Sequence, residues 1–472
     1  MFNRILLISI ILAVWIAIKV VDYLIPGPVL LIVLFLILAM MIVHVAWLNA
    51  AQRLWQRKLR KLHGIGAQMS ILLEPPHVRE QNNEQDDEAW EPAVDLLISA
   101  KNESKVIEST VRNLFQIDYP KFNVWVINDN STDDMPKVLE RLQVEFANLH
   151  VLHRQPGSYP GKSAALNEAL ALCRGEVIVV FDADANVAPN FLKLTLPVLQ
   201  PEHVGAVQAQ KRLYEHNKNY LIECQSTEYA VDTFFQMGRD LIGGMVELRG
   251  DGQLIKRTAL IDVGGWNNKT ITDDLDLSMR LLISKWDIRF CPEAVVWEEG
   301  VPTIKGLLRQ RRRWAEGSIR RYLDYIFPLN APSRLSLVER LDIFAFVTEF
   351  TVPALVCLEV VSEAINLAVG GPIHPKLLLV FFICMGIVSQ FNFFSALRLY
   401  RSHLSLWEQI RDSWEGSTYA LTIWMPCIFY AFWKIMFSKQ ASTWHRTEHF
   451  GQAIPQTEPS VADINSAEEK RN

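Results

Sequence analysis

Carboxylates and guanidinium groups recur in four short stretches of this chain, in a fixed order: Asn128-Asp129-Asn130-Ser131-Thr132-Asp133, Asp182-Ala183-Asp184, Thr272-Asp273-Asp274 and Gln310-Arg311-Arg312-Arg313-Trp314. Each suits a different part of group transfer from a nucleotide diphosphate. Asp129 follows the apolar run Val124 to Ile127. It therefore stands at a strand's carboxyl end, where a carboxylate can accept hydrogen bonds from a nucleobase or a ribose, while Asn130 to Asp133 supplies turn and cap chemistry. Asn102 and Glu103, closing the run Val94 to Ser99, are placed to line the same pocket. Asp182 and Asp184 leave the run Val177 to Phe181 at alternate positions. Hard oxygen ligands of this kind hold Mg2+ or Mn2+ beside two phosphates.

Asp274 opens the helix-like stretch Asp273 to Leu282 and is the candidate general base for an acceptor hydroxyl. A helix dipole at that point lowers a carboxyl pKa. Gln310, Arg313 and Trp314 sit in the basic stretch Arg309 to Arg321. Arginine can clamp a pyrophosphate with two hydrogen bonds, and an indole can cover a sugar ring. Their neighbours Arg311, Arg312, Arg320 and Arg321 read as facing anionic lipid headgroups. Taken singly, each acidic motif has a plain alternative: a capped turn at Asp129, an isolated acidic pair at Asp182, a capped helix at Asp273. Their order and company favour chemistry.

Gly161-Lys162-Ser163 looks like the end of a phosphate-binding loop, but Pro156 stands where its first glycine belongs, which argues against an ATPase. Lys162 stays a candidate phosphate contact. His445 and His449 have the spacing of a metal pair without the metalloprotease order, and read as interfacial anchors.

The elements that must position these residues alternate. Val94 to Ser99, Val124 to Ile127 and Val177 to Phe181 read as buried parallel strands, and Glu103 to Phe115 and Ser163 to Cys173 as helices between them. That pattern predicts an α/β, doubly wound, mostly parallel sheet over residues 93–330, with ligands at the carboxyl ends of its strands.

Apolar segments flank it. Half of the 472 residues are hydrophobic and the mean hydropathy is positive, so part of the chain belongs in lipid. Ile5 to Leu24 and Val29 to Leu48, separated by Pro26-Gly27-Pro28, predict a transmembrane hairpin within residues 1–52. Arg53, Arg57, Lys58, Arg60 and Lys61 follow it, which predicts a cytoplasmic catalytic domain. Gln68 to Pro92 reads as a linker. Ile343 to Val369, Leu377 to Leu397 and Tyr419 to Phe437 read as further spans, with Leu404 to Trp414 flat on the membrane and a polar tail after residue 440. The net charge of -5 argues against nucleic acid as partner. Six scattered cysteines read as buried apolar residues in a reducing compartment.

On these motifs, residues from about Val94 to Tyr325 resemble the catalytic domain of family 2 glycosyltransferases, the family of cellulose, hyaluronan and poly-N-acetylglucosamine synthases. The resemblance implies a GT-A type fold, a UDP-sugar donor and inversion at the sugar. It further implies that Asp129 binds uridine, that Asp182 and Asp184 bind diphosphate and metal, that Asp274 is the base, and that Gln310, Arg313 and Trp314 lie beside the acceptor. Asn128 and Asp273 depart from the family's usual aspartate and glutamate. Within the family, Glu247-Leu248-Arg249-Gly250-Asp251-Gly252-Gln253 and Ile271 to Leu277 are similar to the cyanobacterial branch that transfers glucose from UDP-glucose to diacylglycerol with Mg2+. The resulting expectation is an integral membrane, multi-pass glucosyltransferase acting on diacylglycerol. Its rivals are a processive β-polysaccharide synthase and a membrane scaffold or glycan sensor without turnover.

Overall fold

The computed structural model describes residues 4–13, 16, 29–63, 90–214, 219–329, 335–371 and 373–438. These fall into two compact units: a sheet unit of residues 90–214 and 246–300, and a helical unit of residues 4–63, 219–245 and 301–438. In chain order, α1 (Arg4–Ala13) and α2 (Val29–His63) come first. The sheet unit then opens with β1 (Val94–Ala100), α3 (Ile107–Leu114), β2 (Phe122–Asn128), α4 (Met135–Glu145), β3 (Leu149–His153), α5 (Lys162–Leu172) and β4 (Val177–Phe181). It continues with β5 (Asn186–Val187), α6 (Phe191–Leu199) and β6 (Val204–Leu213). After α7 (Tyr220–Ile242) of the helical unit come β7 (Gln253–Lys256), α8 (Arg257–Asp262), α9 (Asp273–Ile283) and β8 (Asp287–Glu298). The remaining helices are α10 (Ile304–Leu329), α11 (Leu337–Val369), α12 (Pro375–Tyr400), α13 (Leu406–Tyr419) and α14 (Met425–Phe437).

The sheet runs in the order β3-β2-β1-β4-β7-β6-β8-β5. Its first half is parallel, because β1, β2 and β4 are apolar along nearly their whole length and are covered on both faces. Registers Ala100↔Asn128 and Ile98↔Phe181 bring the carboxyl ends of β1, β2 and β4 to one edge. The residues that follow these strands, Asn102, Asp129 and Asp182, therefore leave from the same edge. The second half is mixed. β7 runs antiparallel to β4 and β6, with Val180 opposite Gln253, so the chain entering β7 arrives where β4 ends. A continuous apolar core runs along both halves of the sheet, from Leu96 and Ile98 through Val124, Val179 and Phe181 to Leu254 and Val296.

In the helical unit, Leu31, Leu34 and Leu38 of α2 pack with Val352 and Val356 of α11 and Phe381 of α12. Buried charge is matched here. Asp342 of α11 accepts hydrogen bonds from Arg239 Nε of α7 at 2.8 Å and from the Met245 N–H at 2.9 Å, and pairs with His44 Nε2 of α2 at 3.0 Å. Among the described residues, four stretches are long and apolar enough to cross a membrane: Leu31–Arg57, Phe350–Val369, Pro375–Tyr400 and Leu406–Phe437. Their outward faces keep Leu36, Val43, Leu379, Ile387 and Trp433 exposed. α13 opens on a capping box at Ser405 and Glu408 and continues through a single π-helical turn, Ala420–Trp424, into α14. The stretch expected to lie flat is thus the first part of one long helix.

Among the described residues all six cysteines are free, and Cys357 is exposed rather than buried. Most of the first expected span beyond Ala13, the Pro26-Gly27-Pro28 break, most of the Gln68 to Pro92 linker, His445, His449 and the polar tail lie outside the described residues.

Candidate active site

Three of the sheet-unit residues singled out in the sequence, Lys162, Asp182 and Asp129, are tied together by α5. Its first residue, Lys162, donates from Nζ to Asp182 Oδ1 at 2.5 Å and to the Gly250 carbonyl at 2.9 Å. Six residues on, Glu168 accepts from Arg154 at 2.7 and 3.1 Å, and Arg154 in turn donates to Asp129. The Arg154 side chain is fully buried. One helix therefore steers both the acid after β2 and the acid after β4. Asn167 of α5 also accepts from the Trp266 N–H at 2.9 Å and donates to the Trp266 carbonyl at 2.7 Å, which fixes the approach to α9.

Asp274 is the second residue of α9 and receives the Leu275 N–H at 2.8 Å. Part of it stays open to solvent, yet surrounding protein and the neighbouring Asp273 raise its pKa to about 6 against the pull of the Leu275 N–H, Lys162 and Arg249. Burial thus outweighs the helix start, contrary to the lowering expected from the dipole. Gly250, at φ +80, faces it closely: a Cβ there would lie 3.1 Å from Asp274 Oδ2. For Lys162, burial pulls the pKa down, but Asp182 and Asp273 prevail and hold the ammonium above its ordinary range.

Asp182, Asp251 and Glu298 form a group in which each can offer a carboxylate oxygen, all within 4.8 Å of one another. Asp251 is fully buried. Its Oδ1 accepts the Asp182 N–H at 3.1 Å, and its Oδ2 has no hydrogen-bond partner among the described residues. Burial, reinforced by Asp182, pushes its carboxyl well above the usual range, although Lys211 pulls it back. Lys211 itself bonds Glu298 at 2.7 Å. Asp184 uses Oδ2 to accept the Glu299 N–H at 2.9 Å. An all-oxygen donor set with an unpartnered buried carboxylate oxygen fits a hard divalent cation.

Asn102, at φ 59, spends its side chain on the second loop, accepting from the Thr132 N–H at 2.7 Å. Ser131 Oγ accepts the Asn102 N–H at 2.8 Å in return. This cross-tie shapes the loops on either side of Asp129, and buried Glu103 lies beside it in sequence.

Gln310, Arg313 and Trp314 all lie on α10 in the helical unit, half-buried. There the lipid-facing reading fails for two of their neighbours, Arg311 and Arg321, which are buried. Arg311 is fully buried, pairs with Glu228 of α7 at 2.7 Å, donates to Gln310 Oε1 at 2.5 Å and stacks on Trp314 with its guanidinium carbon 4.2 Å from the ring centre. Glu228 also accepts from Tyr419 at 2.8 Å and Trp424 at 3.0 Å. Arg321 is buried too, Arg320 pairs with Glu316 at 2.9 Å, and Arg312 lies over Tyr430 at 4.6 Å. A row of four arginines at helical spacing looks like a surface until the acids and rings on distant helices are known.

Asp251, Glu298, Lys211, Arg154 and Glu168 were not singled out as site residues from the sequence. Asp251 is visible inside the Glu247 to Gln253 heptapeptide, but only the antiparallel pairing of β7 with β4 reveals what it faces.

The fold is of the GT-A type, and the family comparison agrees with the motifs. Residues 92–317 match the model of the glycosyltransferase-like family 2, so the chain carries a domain of that family. Over 236 residues, half of each chain, it is 48% identical to a β-monoglucosyldiacylglycerol synthase of Nostoc sp.. A Synechocystis sp. protein of the same name is 43% identical over 257 residues, covering 54% of this chain and 53% of that one. The match thus spans about half the length of these curated relatives. Among solved structures, a mannosyltransferase of Pyrobaculum calidifontis in complex with GDP-mannose and Mn2+ shares the fold, with a TM-score of 0.55 and 20% identity over 86% of this chain and all of that one.

Proposed function

We propose that the chain is a UDP-sugar-dependent hexosyltransferase that moves glucose from UDP-glucose to the hydroxyl of 1,2-diacylglycerol, giving β-monoglucosyldiacylglycerol. The observation that carries the chemistry is Asp274: a carboxylate partly open to solvent, with a pKa raised to about 6, facing Gly250, whose carbonyl accepts from the same Lys162 that bonds Asp182 after β4. Such a group is mostly ionised at neutral pH and still basic enough to accept a proton in the transition state. The donor and the lipid acceptor are supported by the relatives' names and by the apolar helices.

In this reading Asp129 binds the nucleoside, with Asn102 and Glu103 shaping its pocket. Lys162 and Asp182 orient the diphosphate, the ammonium offsetting phosphate charge. Asp274 takes the proton from the acceptor hydroxyl. As it does so, the acceptor oxygen bonds to the anomeric carbon and the bond from that carbon to the β-phosphate oxygen breaks, releasing UDP with inversion. To Gln310, Arg313 and Trp314 the family resemblance assigns binding of the acceptor and the leaving group. A Mg2+ or Mn2+ ion held by Asp182 and the acids around it would neutralise charge on the departing diphosphate. The chain crosses the membrane several times with the sheet unit in the cytoplasm, where the bilayer presents the lipid hydroxyl.

Supply of radiolabelled UDP-glucose and diacylglycerol to the purified chain in detergent tests this. A labelled, chloroform-soluble glycolipid is expected; label confined to a water-soluble polymer rejects the acceptor.

A further inference from the structure

Three of the acids at the carboxyl edge of the sheet come from three different strands: Asp182 follows β4, Asp251 precedes β7 and Glu298 ends β8. We propose that these three together hold the divalent cation of this chain, so that two of its protein ligands, Asp251 and Glu298, lie outside the Asp182-Ala183-Asp184 motif. The inference rests on the reading that the sheet unit binds a nucleotide diphosphate with a cation, and it specifies the donor set.

The geometry is that of a ligand shell. One oxygen from each residue lies within 4.8 Å of the others, and rigid strands, not loops alone, set their positions. Asp251 supplies the independent observation. It is fully buried, its Oδ1 is used by the Asp182 N–H, and its Oδ2 meets no donor among the described residues. Leaving a buried carboxylate oxygen unpartnered is costly, and a bound cation removes that cost. The local charge agrees. Lys162 bonds Asp182 and Lys211 bonds Glu298, so two ammonium groups face three carboxyl groups. Asp184 has a different part: by accepting the Glu299 N–H at 2.9 Å it fixes the backbone next to Glu298, as a positioning residue for that ligand.

The test is Mn2+ binding by the full chain in detergent, followed by electron paramagnetic resonance with and without UDP. Asp251→Asn and Glu298→Gln are each expected to raise the Kd for Mn2+ tenfold or more, and Asp184→Asn to raise it less than threefold. Thermal unfolding in EDTA separates a ligand from a structural prop. Replacing the crowded acid by a neutral amide of the same shape should leave the metal-free midpoint of Asp251→Asn equal to or above that of the unaltered chain, while the rise produced by Mn2+ disappears. If Asp251→Asn and Glu298→Gln bind Mn2+ as the unaltered chain does and Asp184→Asn does not, the inference falls and the cation reading stands. A lowered midpoint of Asp251→Asn in EDTA makes Asp251 structural and also overturns it. An unaltered chain that binds no Mn2+ with or without UDP ends both.

Discussion

The two ends of the same sheet treat a buried carboxylate in opposite ways. Asp95, near the amino end of β1, accepts from Asn123 Nδ2 and Trp125 Nε1 at 3.1 Å each, and from the Arg174 and Gly175 N–H groups at 2.9 and 2.6 Å. Every donor is neutral or backbone, none is another acid, and Gly175 comes so close that a Cβ would lie 2.8 Å from the carboxylate. At the carboxyl end, Asp251 receives one N–H and is otherwise pressed by Asp182, Glu298 and Asp184. A satisfied acid stabilises the fold; a crowded one stores a preference for something positive that the fold itself does not fully supply.

The strongest way to sharpen this contrast is Asp274→Asn. Loss of a general base costs about 10²- to 10⁴-fold in rate, and UDP release should fall by that much. Stability should move the other way. With its folded pKa raised to about 6 from 3.8, Asp274 contributes stability that is fully present below its unfolded pKa and lost as pH rises through 6. The variant should therefore match the unaltered chain near pH 4 and exceed it at pH 7, by at most about 3 kcal/mol. In the unaltered chain kcat/KM should fall tenfold per pH unit below about 6. A variant that is both inactive and less stable at pH 7 would make Asp274 structural.

Asp95→Ala should give the mirror image. It strands the Trp125 indole N–H and two backbone N–H groups in a buried site, and the loss should exceed about 3 kcal/mol. Thermal unfolding measures it, and kcat per folded molecule should not change. A matching fall in kcat would erase the distinction between the two ends.

Much of the carboxyl end is legible in the sequence because parallel strands announce themselves. Val177 to Phe181 is an unbroken apolar run and is β4 to the residue, so the acids that follow it are placed by reading alone. β1, β2, α3 and α5 differ from their expected limits only at the ends. Asp251 and Glu298 escape because β7 and β8 reach the site through antiparallel pairing and a long strand with a register shift, and neither leaves a local pattern. Arg311 escapes for a related reason. Its partners Glu228, Tyr419 and Trp424 are brought to it by packing between helices remote in sequence, and no helical period encodes that.

A subtler intervention is Gly250→Ala. The position has φ +80, which an L side chain occupies at a cost of about 1–3 kcal/mol, and the new methyl would lie 3.1 Å from Asp274 Oδ2. Relief requires the backbone to shift, and the Gly250 carbonyl accepts from Lys162. Activity should drop roughly tenfold through misplacement of the base and the lysine, with KM for the donor rising more than for Asp274→Asn. An unchanged KM would detach Lys162 from donor binding.

The smallest effect belongs to the sheet unit's outer surface. Arg112 of α3 makes two hydrogen bonds to Glu145 at 2.5 and 2.8 Å and one to Glu108 at 3.2 Å, a better set of distances than Asp251 has. Yet both partners of the main pair are more than a third exposed, water competes for each charge, and ordering the long side chains costs entropy. Arg112→Ala should therefore shift stability by less than about 1 kcal/mol, less still at high salt, and leave UDP release unchanged. Good geometry alone does not make an ion pair matter. What separates Arg112 from Asp95 and Asp251 is solvent, and a loss above about 2 kcal/mol on thermal unfolding would show that burial is the wrong variable for ranking the acids of this sheet.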